Sequence, residues 1–398
     1  MKVKIKKGLP SGTICAPPSK SYAHRLLICS ALAKGGVVRG VSRSEDMLAT
    51  LDCIGALGIS YTLENKIATL SSVGNTSTIF NCRESGSTLR FFIPIALARG
   101  GVCEFHGTQR LISRGISVYE DICSKQGISV KKDACSLTFS GKLRPDTFEV
   151  RGDISSQFIS GLFFALPLLD GDSVVKITTE LESKPYIDIT IDTLSRFGVK
   201  IEQRDNNEYF IKGNQKYIPT DAEVEGDFSN AAFLDAFGVL GTDISVIGLR
   251  YCSLQGDKVY IELFEKIKSG YLEADITACP DLGPILMALC SAREGGYITG
   301  TKRLKIKESD RAQAMATELA KLGIRVDVFE NAVKIHKGQL KQPSEALCSH
   351  NDHRIVMALS VLATLVGAEI DGCEAVSKSY PEFFEDIGSL GVSYEMAE

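Results

Sequence analysis

The chain has no tryptophan and no apolar run long enough to span a membrane. Its opening stretch, Met1 to Gly12, is basic but lacks the apolar segment of a signal peptide, so a cytoplasmic protein is expected. Twelve cysteines lie between Cys15 and Cys373 without a C-x-x-C pair or a Cys/His grouping at zinc spacing. In a chain of this length they are expected to be scattered reduced thiols rather than a disulfide framework. The five histidines show no H-E-x-x-H or other metal spacing. No G-x-x-x-x-G-K-[ST] occurs; the nearest stretch, Gly295 to Lys302, has Thr-Lys where Lys-Ser or Lys-Thr is required. No G-x-G-x-x-G follows a strand. Charge of one sign is also lacking: 45 basic and 49 acidic side chains leave a net −4. That balance argues against bulk affinity for nucleic acid or anionic membranes, while local basic clusters remain allowed.

What the chain does have is a repeat. Its 398 residues, 44% hydrophobic and 24% charged, suit a soluble protein of two or three domains. A helix-ending glycine followed by an apolar strand start recurs at Gly58, Gly127, Gly198, Gly270, Gly323 and Gly391, at intervals of 69, 71, 72, 53 and 68 residues. Each follows an amphipathic segment, as Ala312, Met315, Leu319 and Leu322 illustrate. Glycine suits the left-handed position that closes a helix.

A second series interleaves with the first. Polar starts precede apolar runs at Ser19–Ala33, Ser85–Ala98, Ser155–Leu169, Ser229–Leu240, Asp281–Ala292 and Asn351–Val366. These runs are too evenly apolar for surface helices and read as core helices. The unit is core helix, strand, polar loop, amphipathic helix, then one or two strands. The last copy runs out after one strand, and Lys2–Lys6 is a strand-like orphan at the other end, so the N-terminal strand is expected to complete the final unit. A break is expected near Gly213–Asp227. The expected fold is α/β with two similar domains, each a threefold repeat of an α/β unit. Residues 1–17 plus 226–398 form the discontinuous domain, and 18–225 the other. Two chain crossings would suit opening and closing.

The polar starts read Pro18-Ser19-Lys20-Ser21, Glu84-Ser85-Gly86-Ser87-Thr88, Ile154-Ser155-Ser156-Gln157, Asp227-Phe228-Ser229-Asn230, Pro280-Asp281-Leu282-Gly283 and Asn351-Asp352-His353-Arg354. Any one of them is explained by helix capping. Six in equivalent places, several carrying hydroxyls with Lys or Arg, instead suggest anion sites, because a helix start offers unpaired N–H donors and partial positive charge. Arg114, Lys184, Arg250, the run Lys302–Lys307 and Lys378 add cations at matching loop positions. Glu308, Asp310 and Arg311 turn that run into a mixed cluster. The sum points to an interdomain cleft for small, multiply anionic substrates.

These residues resemble the enolpyruvylshikimate-phosphate synthase (3-phosphoshikimate 1-carboxyvinyltransferase) family over nearly the whole chain. The motifs are P-x-S-K-S-x-x-x-R at Pro17–Arg25, S-S-Q-F at Ser155–Phe158, S-K-P-Y-I-D-I-T at Ser183–Thr190, K-E-S-D-R at Lys307–Arg311, N-D-H-R at Asn351–Arg354, and the Lys378–Pro381 segment. The resemblance implies an inside-out α/β barrel in each domain, closing around shikimate 3-phosphate and phosphoenolpyruvate. It implies no metal or organic cofactor. By the family's pattern Ser21, Arg25, Ser155, Ser156, Ser183 and Lys307 would hold shikimate 3-phosphate, with Tyr186 lining its ring. Lys20, Gly86, Arg114, Arg311, Arg354 and Lys378 would bind phosphoenolpyruvate, with Gln157 bridging. Asp281 would be the base for the attacking hydroxyl and also contact substrate. Glu308 would be the acid/base at the methylene carbon, and Lys20 a second proton-transfer candidate. The partners implied are these two small molecules, with no nucleic acid, no membrane and a monomeric chain.

Other readings stay open at this stage. Asp281 could be only a helix cap, Glu308 only an ion-pair partner of Arg311, and His353 an orienting group. Two departures from the family pattern stand out: Glu84 where many members have Asn, and Gly115 where many have Pro. A UDP-N-acetylglucosamine enolpyruvyl transferase would share the fold but commonly uses a loop cysteine, and no cysteine here sits in such a motif. A ring-shaped clamp on DNA would also repeat six times but needs a basic bore without convergent carboxylates.

Overall fold

The evenly apolar segments fold as helices covered on nearly every face. The computed structural model describes residues 1–72 and 74–397, and among these there are thirteen α-helices. In chain order they are α1 (Lys20–Leu32), α2 (Glu45–Ala56), α3 (Gly86–Arg99), α4 (Gln109–Ser113), α5 (Ser117–Gln126), α6 (Ser156–Ala165) and α7 (Lys184–Arg196). Then come α8 (Phe228–Val239), α9 (Tyr260–Ser269), α10 (Gly283–Ala292), α11 (Arg311–Lys321), α12 (His353–Val366) and α13 (Phe383–Ser389). The core series is α1, α3, α6, α8, α10 and α12. In α12 every residue from His353 to Thr364 is buried, and in α10 every residue from Gly283 to Ser291. Such burial removes the polar face an amphipathic helix needs, which is why the sequence shows none there. None of the helices among the described residues is long and apolar enough to cross a membrane.

The chain forms two units, Met1–Ser19 with Gly226–Glu398, and Lys20–Glu225. Pro18 and Ser19 belong with the first: Pro18 pairs with Gly226 and Ser19 donates to Gln255 Oε1 at 3.1 Å. Each unit has its own hydrophobic core. In the first, α8, α10 and α12 touch one another.

One strand pattern recurs around the core helices. Ile79–Asn81 runs parallel to Gly101–His106, across the α3 crossover. Gly101–His106 is antiparallel to Ser136–Gly141, which is antiparallel to Ser129–Lys132. The same order joins Thr147–Val150, Ser173–Ile177, Glu208–Ile211 and Ile201–Gln203, and again Leu272–Asp275, Gly296–Thr299, Ala332–Ile335 and Val326–Val328. A core helix therefore supplies the crossover a parallel pair requires, and the hairpin after each amphipathic helix completes the sheet.

Two sheets are completed from far along the chain. Lys2–Ile5 lies between Ala368–Asp371 and Tyr394–Ala397, antiparallel to both, so the N-terminal strand does complete the last repeat. Ala222–Glu223 returns to pair with Gly35–Arg39 in the second unit's first repeat. The fourth repeat is different. After α9 the chain enters Leu272–Asp275, the leading strand of the next sheet, without a hairpin of its own, and Ile244–Ile247 pairs with Gly12–Cys15 instead. The missing hairpin accounts for the short 53-residue glycine interval. It also accounts for Gly270, which sits at φ 158° and ψ −145° rather than in the left-handed conformation that Gly127 adopts at φ 69°. Among the described residues the six sheets are separate, and none closes into a continuous barrel.

Candidate active site

The first unit gathers its charged candidates around Asp281, which lies on a single 3-10 turn, Pro280–Leu282, leading into α10. Asp281 Oδ1 accepts from Lys307 Nζ at 3.1 Å and from Arg311 Nη1 at 2.8 Å, and Oδ2 accepts from Arg354 Nη2 at 3.1 Å. One carboxylate is thus held by three cations from two chain segments, Lys307–Arg311 and the start of α12. Arg311 Nη2 also donates to Glu308 Oε2 at 2.8 Å. Its Nε donates to Asp352 Oδ2 at 2.8 Å. Lys378 joins by donating to the carbonyl of Asn351 at 2.7 Å.

The depth of these groups differs. Arg311, Arg354 and Asp352 are 1%, 3% and 0% exposed, while the side chains of Asp281, Lys307 and Glu308 are 18%, 20% and 17% exposed. The arginines form a fixed floor, and the two carboxylates and the lysine reach its surface. Burial works against the charge on Arg311, but Asp352, Glu308 and Asp281 outweigh it and raise its pKa. Arg354 is raised for the same reason, burial being outweighed chiefly by Asp281. Lys307 goes the other way: burial, only partly offset by Asp281, lowers it to about 8.

Three acidic residues of the structure carry roles that the sequence reading did not assign. Asp352 stood in a quoted motif without a role; it caps α12 and clamps Arg311. Asp257 is buried, accepts a short hydrogen bond from Ser229 Oγ, and leaves Oδ1 without a partner among the described residues. Burial first, then the charge of Asp281, raise its pKa to about 7. Asp46 lies beside Lys20, with Nζ to Oδ2 at 3.0 Å. Asp46 follows Ser44-Glu45 at the start of an ordinary amphipathic helix, so only the fold reveals its partner.

In the second unit the candidates sit at the starts of α1, α3, α6 and α7. Gly86 opens α3, and a Cβ there would lie 3.0 Å from Arg114 Nη1, so the guanidinium lies against the helix start. Gln157, in the first turn of α6, donates to Ser87 Oγ at 2.9 Å and accepts from Arg90 Nη1 at 2.5 Å. Arg90 is a further residue the sequence reading passed over. It is 5% exposed, packs over the Phe158 ring, and its Nη2 donates to the Gly115 carbonyl at 3.4 Å. Gly115 is at φ 77°, a conformation that proline cannot adopt, which gives the departure at this position a structural consequence.

Ser155 caps α6, Ser156 is buried in its first turn, and Ser183 precedes α7. Arg25 lies beneath the surface. It donates from Nε to Thr190 Oγ1 at 2.8 Å, from Nη1 to the Ser21 carbonyl at 2.7 Å and from Nη2 to the Tyr186 carbonyl at 3.0 Å. It ties α1 to α7 and thereby places Ser21 and Tyr186; burial lowers its pKa to about 10.

Backbone strain falls in part at the same places, with Lys34, Asn65, Lys66 and Asn214 in left-handed conformations elsewhere. Arg83 (φ 50°), Ser183 (φ 56°), His350 (φ 50°) and Asn351 (φ 54°) are non-glycine residues in left-handed conformations just ahead of candidate helix starts. The His350–Asn351 turn is anchored by His350 Nε2 against Glu318 Oε1 at 2.8 Å, with Glu318 Oε2 accepting from Cys348 N at 2.9 Å.

Comparison with known proteins follows the same lines. A family model described as EPSP synthase (3-phosphoshikimate 1-carboxyvinyltransferase) matches residues 5–387. The 3-phosphoshikimate 1-carboxyvinyltransferase of Clostridium novyi is 42% identical over 98% of this chain and 97% of its own. That of Clostridioides difficile is 39% identical over 98% and 97%. Among solved structures, EPSP synthase from Acinetobacter baumannii superposes with a TM-score of 0.80 at 22% identity, covering all of both chains. The enolpyruvyl transferase NikO from Streptomyces tendae gives 0.74 at 14% identity, over 99% of this chain and 98% of its own. At those identities the two structures establish the fold.

Proposed function

Because the chain belongs to the EPSP synthase (3-phosphoshikimate 1-carboxyvinyltransferase) family, we propose that the clusters in its two units serve one reaction. The protein transfers the enolpyruvyl group of phosphoenolpyruvate to the 5-hydroxyl of shikimate 3-phosphate, giving 5-enolpyruvylshikimate 3-phosphate and phosphate. In our reading the hydroxyl oxygen bonds to C2 of phosphoenolpyruvate as its proton passes to Asp281, and Glu308 protonates the methylene carbon. The tetrahedral intermediate then collapses: the C2–O bond to phosphate breaks and Glu308 takes a proton back from the methyl group. The observation that carries this assignment is Asp281 itself, a partly exposed carboxylate locked by Lys307, Arg311 and Arg354. Carboxylates held in place beside fixed cations are what proton transfers among anionic reactants need.

The remaining roles follow the side chains' chemistry. Arg311, Arg354, Lys378, Lys20, Arg114 and the α3 start at Gly86 supply positive charge to phosphoenolpyruvate. Lys20 is a second candidate for moving a proton, and Gln157 bridges towards the reacting groups. Ser21, Arg25, Ser155, Ser156, Ser183 and Lys307 hold shikimate 3-phosphate, with Tyr186 against its ring and Arg25 also tying Ser21 to Tyr186. We read the enzyme as a cytoplasmic monomer, in keeping with a biosynthetic reaction between two small water-soluble anions. A ³¹P spectrum of the protein with both substrates should show inorganic phosphate and a new phosphate-monoester signal from the product. No change with shikimate 3-phosphate, but phosphate release with UDP-N-acetylglucosamine as acceptor, would reject the substrate assignment.

A further inference from the structure

A buried chain of hydroxyls joins three helices of the second unit. His24 Nδ1 lies 2.7 Å from Thr50 Oγ1, and Thr50 Oγ1 lies 2.8 Å from Thr88 Oγ1. Thr88 Oγ1 donates to Ser85 Oγ at 2.8 Å, and the Thr88 backbone N–H donates to the same oxygen at 3.3 Å. His24 and Ser85 are 1% exposed, and Thr50 and Thr88 are fully buried. The chain thus runs from α1 through α2 to the first turn of α3.

The direction of the protons follows from counting them. A hydroxyl has one proton to give. Thr88 gives its own to Ser85, so in the contact with Thr50 it can only accept, and Thr50 must donate. Thr50, its proton spent, can only accept from His24, which requires the hydrogen on Nδ1. The other nitrogen, Nε2, has no partner among the described residues, and the ring packs edge-on to Phe91 at 6.3 Å. A bare lone pair is tolerable there, whereas a second buried N–H carrying charge is costly. Burial, with Lys20 and Arg25 nearby, also pushes the imidazole pKa well below its ordinary value.

The far end of the chain matters for function. Ser85 Oγ accepts twice, which fills both of its lone pairs, and its own proton is left for another acceptor. Ser85 is the N-cap of α3 and directly precedes Gly86, where an added Cβ would meet the Arg114 guanidinium. We propose that His24 is a positioning residue: as the neutral Nδ1–H imidazole it orders the hydroxyl chain so that Ser85 presents a donor, not an acceptor, to an oxyanion at the start of α3. This rests on the reading that phosphoenolpyruvate binds there, and it adds Ser85 to that site with His24 acting through it.

The test has one arm that does not depend on activity. Nitrogen-15 NMR of the ligand-free chain should show His24 neutral and protonated at Nδ1 throughout about pH 6 to 8. Protonation at Nε2, or titration of His24 in that range, would overturn the proposal even if the enzyme is fully active. In kinetics, His24→Leu and Thr50→Val should each raise the KM for phosphoenolpyruvate about three- to ten-fold, with kcat nearly unchanged. His24→Asn, whose amide N–H can replace Nδ1–H, should restore most of it. Combining His24→Leu with Ser85→Ala should cost no more than Ser85→Ala alone. Additive effects, or equal losses for both substrates, would contradict the proposal, and Thr50→Val carries the comparison if His24→Leu does not fold. Absence of phosphate release from the unaltered enzyme would instead count against the functional reading and leave the tautomer assignment standing.

Discussion

Arg311 and Asp352 meet side by side: Nε of Arg311 donates to Oδ2 at 2.8 Å and Nη2 to Oδ1 at 3.3 Å. The same carboxylate accepts from Ser309 Oγ at 3.0 Å and from the Arg354 backbone N–H at 2.9 Å. One buried aspartate therefore fixes the cation of α11 to the first turn of α12. Removing it leaves a buried guanidinium short of a partner, so Asp352→Ala should lower the unfolding free energy by about 3–5 kcal/mol. Asp352→Asn keeps the shape and an acceptor for the cap, and should lose less. Denaturant unfolding should rank the three proteins in that order, and an Ala variant as stable as the parent would contradict the assignment.

Lys20 and Asp46 give the opposite expectation. Their side chains are 17% and 14% exposed, and the 3.0 Å contact aims the ammonium more than it holds the fold together. Asp46→Asn should leave stability within about 1 kcal/mol of the parent. It should lower kcat/KM for phosphoenolpyruvate about ten-fold or more, because a misaimed charge loses most of its value at the reacting centre. Unchanged kinetics in the folded variant would remove Asp46 from the site.

Two of the shifted groups around Asp281, Asp257 and Lys307, should leave opposite marks on the pH dependence of stability. The carboxyl of Asp257 is raised from 3.8 to about 7. Its contribution is therefore fully present at low pH and is lost as pH rises through that interval. Lys307 is lowered from 10.5 to about 8, so its contribution is present at high pH and is lost as pH falls through that interval. Asp257→Asn should flatten the acidic slope and Lys307→Met the alkaline one, each leaving the other in place. Urea titrations across the pH range read both, and a Lys307→Met protein that keeps the alkaline slope would contradict the assignment.

At Gly86 an added methyl would meet Arg114 Nη1 at 3.0 Å and Cζ at 3.2 Å. The obstacle is the end of a flexible side chain, so the backbone need not move. Alanine also favours the helix by up to about 1 kcal/mol over glycine. Gly86→Ala should thus be as stable as the parent or slightly more so, while displacement of the guanidinium raises the KM for phosphoenolpyruvate several-fold. An unchanged KM would separate Arg114 from the anion.

How far the sequence reached depended on what periodicity and motif can encode. The core helices showed themselves because α10 and α12 have no polar face, and the orphan strand at Lys2 because the last repeat lacked a partner. The degenerate fourth repeat was visible only as a short interval; that Gly12–Cys15 fills its place depends on pairing across more than 200 residues. Of the bonded set, Lys307, Glu308, Arg311 and Arg354 lay in motifs and Asp281 in one of the repeated polar helix starts. Asp46, Arg90 and Asp257 did not, since each acts through a neighbour that only the folded chain brings near. Arg25 stood in a motif, yet its donors serve Ser21, Tyr186 and Thr190 from below.

The most direct measurement is phosphate release from shikimate 3-phosphate plus phosphoenolpyruvate by the parent, Asp281→Asn and Glu308→Gln proteins. The account predicts release that requires both substrates, and a fall in kcat of about 10²- to 10⁴-fold in each variant with folding intact. Release that survives either substitution at near-parent rate would contradict the assignment of these two carboxylates as the proton-transfer groups.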